Sequence, residues 1–180
     1  MKLTDLPRRA GDRPRTTTVN PHTQLDQNAP TELQDRLRDH ALALPAVRRG
    51  PSNVSVPGAV AFFLDSPPNP ATLPNLFDGE WGHIHPPDDG SLHLNVPTGL
   101  AERLIELGWA EYHNVVRRGL APPVVVMLYG PRDEAELEVA AAIVEAAYVA
   151  AGGAYQDNEG RPLPLWAAMT GHEPSDGIST

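Results

Sequence analysis

The stretch 79-GEWGHIHPPDDGSLHLNV-96 determines how the centre of this chain folds. Its middle, 86-PPDDG-90, consists of residues typical of turns. On both sides of it, apolar residues alternate with polar or small ones, which is the pattern of a strand with one buried face. The stretch therefore predicts a β-hairpin with arms at residues 80–85 and 91–96.

Three histidines converge on one face of this predicted hairpin. Side chains alternate faces along a strand, so His83 and His85 share a face. In the hairpin register His85 pairs with Ser91 and His83 pairs with His93, and such partners have Cβ atoms roughly 4.5–5.5 Å apart. Asn95 lies beside them. Because the opposite face is apolar and is the one that helices should cover, the histidine face turns toward a cleft or solvent.

Helices and strands alternate along the rest of the chain. Apolar spacing predicts helices at 31–44, 99–107 and 134–151, the last with Asp133 and Glu136 as a start that resembles a capping box. Further strands are predicted at 109–113 and 124–129, and 51–65 predicts two strands separated by a break at Pro57-Gly58. We expect an α+β domain with a mostly antiparallel sheet, two or three helices on one face and the histidine cluster on the other. Residues 1–30 have no apolar period and predict a flexible arm, 31–155 the domain, and 156–180 a C-terminal tail.

Composition excludes several classes of protein. The 180 residues carry a net charge of −9 and no basic stripe, which argues against binding nucleic acid. The chain has no cysteine, so disulfides, thiolate zinc sites and iron–sulfur clusters are excluded, and no flavin or haem signal is present. No apolar run approaches the roughly 20 residues of a membrane span, which predicts a cytoplasmic protein. The expected partner is a small-molecule ligand or substrate, and oligomerisation is left open.

The histidine face predicts acid–base chemistry. Histidine titrates close to neutral pH, so His83, His85 and His93 are candidate catalytic residues. His113 and Glu111 share a face of the later strand and join the cluster if that strand lies next to the hairpin. Glu111 would then hold one imidazole in a single tautomer.

A metal site is an alternative. Neutral imidazoles bind zinc, copper, nickel and iron, so His83, His85 and His93 also form a candidate open site for a divalent metal. A hairpin whose polar face merely carries histidines is a further alternative.

Four residues are candidates for binding a substrate: Trp109, Ser91, Asn95 and Arg132. For Trp109 core packing is the competing interpretation, and for Arg132 a surface turn. Glu80 falls on the Ile84 side by strict alternation unless a bulge intervenes.

Three further polar residues are expected to have no role in the site. Asp88 and Asp89 are expected to be turn residues. His22 is expected to lie in the N-terminal tail.

Four segments together resemble a known family: 51-PSNVSVPGAVAFFL-64, 79-GEWGHIHPPDDGSLHLNVP-97, 108-GWAEYH-113 and 129-YGPRDEAELEV-139. In this order they resemble the luciferase-domain family of small bacterial and fungal proteins, over roughly residues 50–150. Carried over by position, the family pattern marks His83, His85, His93, Trp109, Glu111, His113 and Arg132. The resemblance implies that the three hairpin histidines belong to one site with Glu111 and His113.

Three functions stay open at this point. The first is a small enzyme that acts on an organic molecule by acid–base chemistry in an open cleft. The second is a mononuclear metal protein, such as a three-histidine oxygenase or hydrolase. The third is a non-catalytic binding or assembly module. The gathering of histidines on an open face favours the first.

Overall fold

The computed structural model describes residues 3–64 and 78–153, together with the short strands Tyr155–Gln156 and Pro162–Leu163. Most of the tail predicted at 156–180 lies outside the described residues. Within the part of the chain that the structure describes, no helix combines the length and apolar character needed to cross a membrane.

A six-stranded antiparallel sheet forms the centre of the fold. Its strands in chain order are β1 Val47–Pro51, β2 Val60–Leu64, β3 Glu80–Ile84, β4 Leu92–Asn95, β5 Ala110–Tyr112 and β6 Val125–Leu128. Their order across the sheet is β1-β2-β3-β4-β6-β5, and every neighbouring pair is antiparallel. Two short strands, β7 Tyr155–Gln156 and β8 Pro162–Leu163, pair with each other in a separate antiparallel sheet.

Four helices complete the described fold. They are α1 Thr31–Ala43, α2 Thr98–Leu107, the single turn α3 Asn114–Arg117, and α4 Glu134–Ala150. The Asp133 side chain accepts the backbone N–H of Glu136 and so caps α4, as the sequence predicts. Gly108 ends α2 in the left-handed conformation, with φ of 84°, which glycine adopts without steric cost.

The hydrophobic core lies between the helices and one face of the sheet. Alternate residues of β4 and β6 supply Leu92, Leu94, Val126 and Leu128, all of them fully buried. Helices α1 and α4 pack against each other and against this face. Because strand residues alternate, the same strands turn His93 and Met127 to the opposite face. The predicted α+β fold, with a histidine cluster on the sheet face opposite α1 and α4, is confirmed.

The register of the central hairpin matches the prediction. His83 pairs with His93 and Ile84 with Leu92 in the β3–β4 ladder. The backbone N–H of His85 donates to the carbonyl oxygen of Ser91 at 2.9 Å.

The strand that carries Glu111 is not a direct neighbour of the hairpin. Strand β6 lies between β4 and β5, so Met127 pairs with His93 on one side and with Glu111 on the other. Glu111 and His113 therefore reach the histidine face from the second strand beyond the hairpin, and not from the strand next to it.

The segment before α1 packs against the folded domain, with Leu6 in the hydrophobic core and His22 on the histidine face of the sheet. Composition predicts a flexible arm here, but Arg9, His22 and Gln24 are each buried in the structure. Thr16 and Gln24 form an isolated antiparallel bridge, which folds the segment back on itself. Polar side chains help to hold this segment in place. A search for the periodicity of apolar residues does not detect such contacts.

Candidate active site

Five histidines form one cluster on the sheet face away from α1 and α4. The strand register brings the rings of His83, His85 and His93 together, with centroids 4.6–5.5 Å apart. His113, which follows β5, meets His93 edge-on at 4.3 Å. His22 from the N-terminal segment stacks on His93 at 5.4 Å. His93 is thus the centre of the cluster.

A bulge in the sheet brings Glu80 into the cluster. Phe62 pairs with Gly82 and Phe63 with Glu80, so Trp81 has no partner in the ladder. The extra residue reverses the alternation and turns Glu80 to the face of His83, while Trp81 enters the core. The prediction that places Glu80 on the Ile84 side is therefore wrong.

Glu80, His83 and His93 form a hydrogen-bonded chain. A carboxylate oxygen of Glu80 lies 2.8 Å from Nδ1 of His83. Because an ionised carboxylate can only accept, Nδ1 of His83 carries the proton and its Nε2 is an acceptor. That Nε2 lies 3.0 Å from Nδ1 of His93, which must then donate. The remaining nitrogen of His93, Nε2, is buried and has no hydrogen-bond partner among the described residues.

Asp89 holds His85 in the same way. The buried carboxylate of Asp89 accepts from Nδ1 of His85 and from the backbone N–H of Ser91. Nε2 of His85 is left with its lone pair, buried and without a partner in the described part of the chain. The turn residue Asp89 therefore also orients an imidazole, a role that turn propensity alone does not reveal.

Glu111 anchors the fifth histidine. One oxygen of Glu111 accepts from Nε2 of His22 at 2.8 Å and from the Thr16 hydroxyl at 2.7 Å. The other accepts from the Tyr129 hydroxyl at 3.1 Å and faces Arg117 at 2.9 Å. Burial favours the neutral acid, but the hydrogen bonds and the charge of Arg117 outweigh it and lower the pKa of Glu111 to about 2.

Three imidazoles of the cluster, those of His83, His93 and His113, have a lowered pKa and are neutral near pH 7. Burial, together with the nearby rings, lowers the pKa of His93 well below its usual range. Burial likewise lowers the pKa of His83, against the opposing effect of Glu80. The pKa of His113 falls to about 4 for the same main reason. Nδ1 of His113 accepts the backbone N–H of Val115 at 3.1 Å, so its proton is on Nε2.

A cavity of about 420 Å³ opens on the cluster. Its polar lining comes from Asn20, Glu80, His83, His93, Asn95 and His113. Its apolar lining comes from Val54, Val115, Leu120, Ala121 and Val125, with Gly82 also at the wall. His22 and His85 are not among the residues that line it, although both belong to the cluster.

The remaining candidates from the sequence lie in different places. Asn95 lines the cavity, and Ser91 is buried beside His85. Trp109 is in the hydrophobic core and donates its indole N–H to the Pro7 carbonyl at 2.7 Å, which corresponds to the core-packing interpretation. Arg132 is bound to Glu136, away from the cavity lining.

Comparison with known proteins agrees with the geometry of the site. Residues 78–147 match the sequence model of the Luciferase domain. Over these residues the chain is similar to the luciferase-domain family. Three fungal proteins named Luciferase are similar: 31% identical over 160 residues in Neonothopanus nambi, and 28% over 163 and 162 residues in Armillaria mellea and Armillaria gallica. No solved structure gives a significant match.

The matched residues contain four of the five clustered histidines, and His22 lies before them. Each of the alignments with the fungal proteins covers 80% of this chain but only 60% of the relative.

Proposed function

We propose that the protein is an enzyme that acts on a small organic molecule held in the cavity, with His93 exchanging a proton with it. The hydrogen-bonded chain from Glu80 through His83 to His93 carries this proposal. It ends at a buried ring nitrogen of His93, which has no hydrogen-bond partner among the described residues and belongs to a residue that lines the cavity.

The chain has the arrangement of an oriented general base. A base acts efficiently when a second group fixes its tautomer and a third holds that group in turn. Here the Glu80 carboxylate fixes His83, and His83 fixes His93. His113 presents its Nε2–H as a neutral donor, which suits an oxygen that gains negative charge during the reaction.

The cavity suits a molecule with an apolar body and a hydroxyl or carbonyl group. Its volume lies in the range of roughly 300–1,000 Å³ that is typical of small-molecule sites. Apolar side chains form one part of its wall, and the histidines and Asn95 form the polar part. The relatives' name, Luciferase, denotes an enzyme, which supports assigning catalysis to this chain too.

Turnover of hydroxylated aromatic compounds tests the proposal. Loss of a proton alone does not consume a phenol, so dioxygen from air is supplied as the oxidant that reacts with the deprotonated compound. Phenol, catechol and 2-naphthol are incubated with the wild type, His93→Gln and His40→Gln, and their consumption is followed by liquid chromatography and mass spectrometry. His40 lies on α1 and pairs with Glu145, so it is a matched control outside the cluster. Loss of an oriented base typically lowers kcat by roughly 100-fold or more, which we expect for His93→Gln.

The proposal fails if His93→Gln, folded as judged by circular dichroism, turns over a compound as fast as the wild type. It also fails if the wild type neither binds nor consumes any member of the panel. Binding without turnover would favour the non-catalytic binding module instead.

A further inference from the structure

His85 is a buried imidazole for which proton exchange in the cavity gives no role. It does not line the cavity, yet the Asp89 carboxylate fixes its tautomer and leaves Nε2 with a lone pair that no described residue contacts by a hydrogen bond. Buried polar atoms are almost always paired, so an exception calls for an explanation such as an ion. Nε2 of His93 is likewise buried without a hydrogen-bond partner among the described residues.

The ring nitrogens of three histidines converge on one point. His83, His85 and His93 each offer a nitrogen within 4.8 Å of the other two. We propose that His83, His85 and His93 bind one divalent transition-metal ion, as a site next to the cavity. Nε2 of His83 and Nδ1 of His93 are 3.0 Å apart, close to the separation of about 3.3 Å between two nitrogen ligands of tetrahedral zinc.

Two carboxylates prepare the histidines for an ion. Histidines that bind metals usually donate their second N–H to a carboxylate, which fixes the ring and raises its basicity. Glu80 does this for His83, and Asp89 does it for His85. Both rings therefore present Nε2 as a lone pair toward the point of convergence.

Charge balance also favours a divalent ion. Imidazole ligands add no charge to a bound ion, whereas Glu80 and Asp89 are two buried acidic side chains next to them. Both accept hydrogen bonds as carboxylates do: Glu80 from the Ser52 hydroxyl and the Asn53 N–H as well as from His83, and Asp89 from the Ser91 N–H as well as from His85. An ion of charge 2+ neutralises the pair, and a purely nitrogen ligand set suits zinc, copper, nickel or iron.

A second group of three histidines is less suited to bind a metal. His22, His93 and His113 also converge within 4.8 Å. Nδ1 of His113, however, accepts the Val115 N–H, so its other nitrogen carries a proton and offers no lone pair. Only one of these rings, His22, is held by a carboxylate.

Three protein ligands leave a coordination position for a substrate or water, which is the pattern of catalytic sites. His83 and His93 both line the cavity, so this position faces it. With an ion bound to Nδ1, the His93 proton lies on Nε2, so His93 then faces the cavity as a proton donor and not as the base of the metal-free chain. The inference shares its site with the proposed function, but metal binding is measured without turnover.

Calorimetric titration with zinc chloride tests the inference on the full, untagged chain after removal of metal with EDTA. We expect one zinc per wild-type chain and no one-to-one binding for His85→Ala. His113→Ala and His40→Ala, which alter the competing triad and a distant histidine, should keep wild-type affinity. Asp89→Asn keeps all ligands and should bind zinc about 10–100-fold more weakly, which provides a test if His85→Ala does not fold.

Absence of stoichiometric zinc in the wild type overturns the inference. So does zinc binding that survives in folded His85→Ala but is lost in His113→Ala, because the other triad would then hold the ion. A chain that turns over hydroxylated compounds but binds no zinc refutes the metal site alone. A chain that binds zinc through His85 but has no turnover refutes only the proposed function.

Discussion

Replacement of Glu111 by glutamine should lower the free energy of unfolding at neutral pH, and the size of the loss follows from the pKa of this carboxyl group. Glu111 is 8% exposed, and its two oxygens together accept from His22, Thr16 and Tyr129 and face Arg117. Its pKa falls from 4.5 to about 2 on folding. At 1.36 kcal/mol for each pKa unit, the charged form contributes about 3 kcal/mol to the free energy of unfolding.

The sign of the pH dependence follows from the lowered pKa. The folded carboxyl holds its proton more weakly than the unfolded one, so the contribution of Glu111 is complete above pH 4.5. It is lost as the pH falls toward about 2, where the folded carboxyl also becomes protonated. Glutamine retains the shape and part of the hydrogen bonding, so we expect a loss of about 2–3 kcal/mol at pH 7.

Urea unfolding, followed by circular dichroism, measures this difference at a series of pH values from 7 downward. The gap between the wild type and Glu111→Gln should narrow below pH 4.5 at unchanged m-value. Glu138→Gln, at an exposed position of α4, removes a charge outside the site and should shift the unfolding free energy by less than about 0.5 kcal/mol. A gap below that size at pH 7, or one that stays constant down to pH 3, would refute the reasoning.

Three further changes test the packing around the site by the same unfolding assay. Thr16→Val removes the hydroxyl that donates to Glu111 at 2.7 Å, and should cost about 1–2 kcal/mol in the wild type but much less in Glu111→Gln; equal costs in both would disprove the coupling. Gly79→Ala places a Cβ at φ of 83° and 2.6 Å from the carbonyl oxygen of Leu64, so stability should fall by at least about 1 kcal/mol, and an unchanged urea midpoint would contradict this. Leu94→Ala empties a fully buried position between sheet and helices and should cost about 2–5 kcal/mol, whereas a loss under 1 kcal/mol would mean that the core collapses to fill the space.

Local patterns in the sequence determine the elements of the fold and part of the site. Alternation on both sides of 86-PPDDG-90 is sufficient to predict the hairpin and the pairing of His83 with His93, because strand register depends on residues close together in the chain. Apolar spacing and the capping residue Asp133, both local signals, likewise predict α4. Three of the five clustered histidines follow from this one hairpin.

Only the tertiary structure decides what surrounds those three rings. The insertion of β6 between β4 and β5 depends on long-range pairing, for which the sequence carries no local signal. The bulge that turns Glu80 to His83 reverses the alternation on which face predictions rest. His22 reaches the cluster because its ring donates a hydrogen bond to Glu111, which lies 89 residues away in the sequence. Local periodicity predicts which face of an element a residue occupies. Contacts between residues this far apart in sequence form only when the chain folds, so no local pattern predicts them.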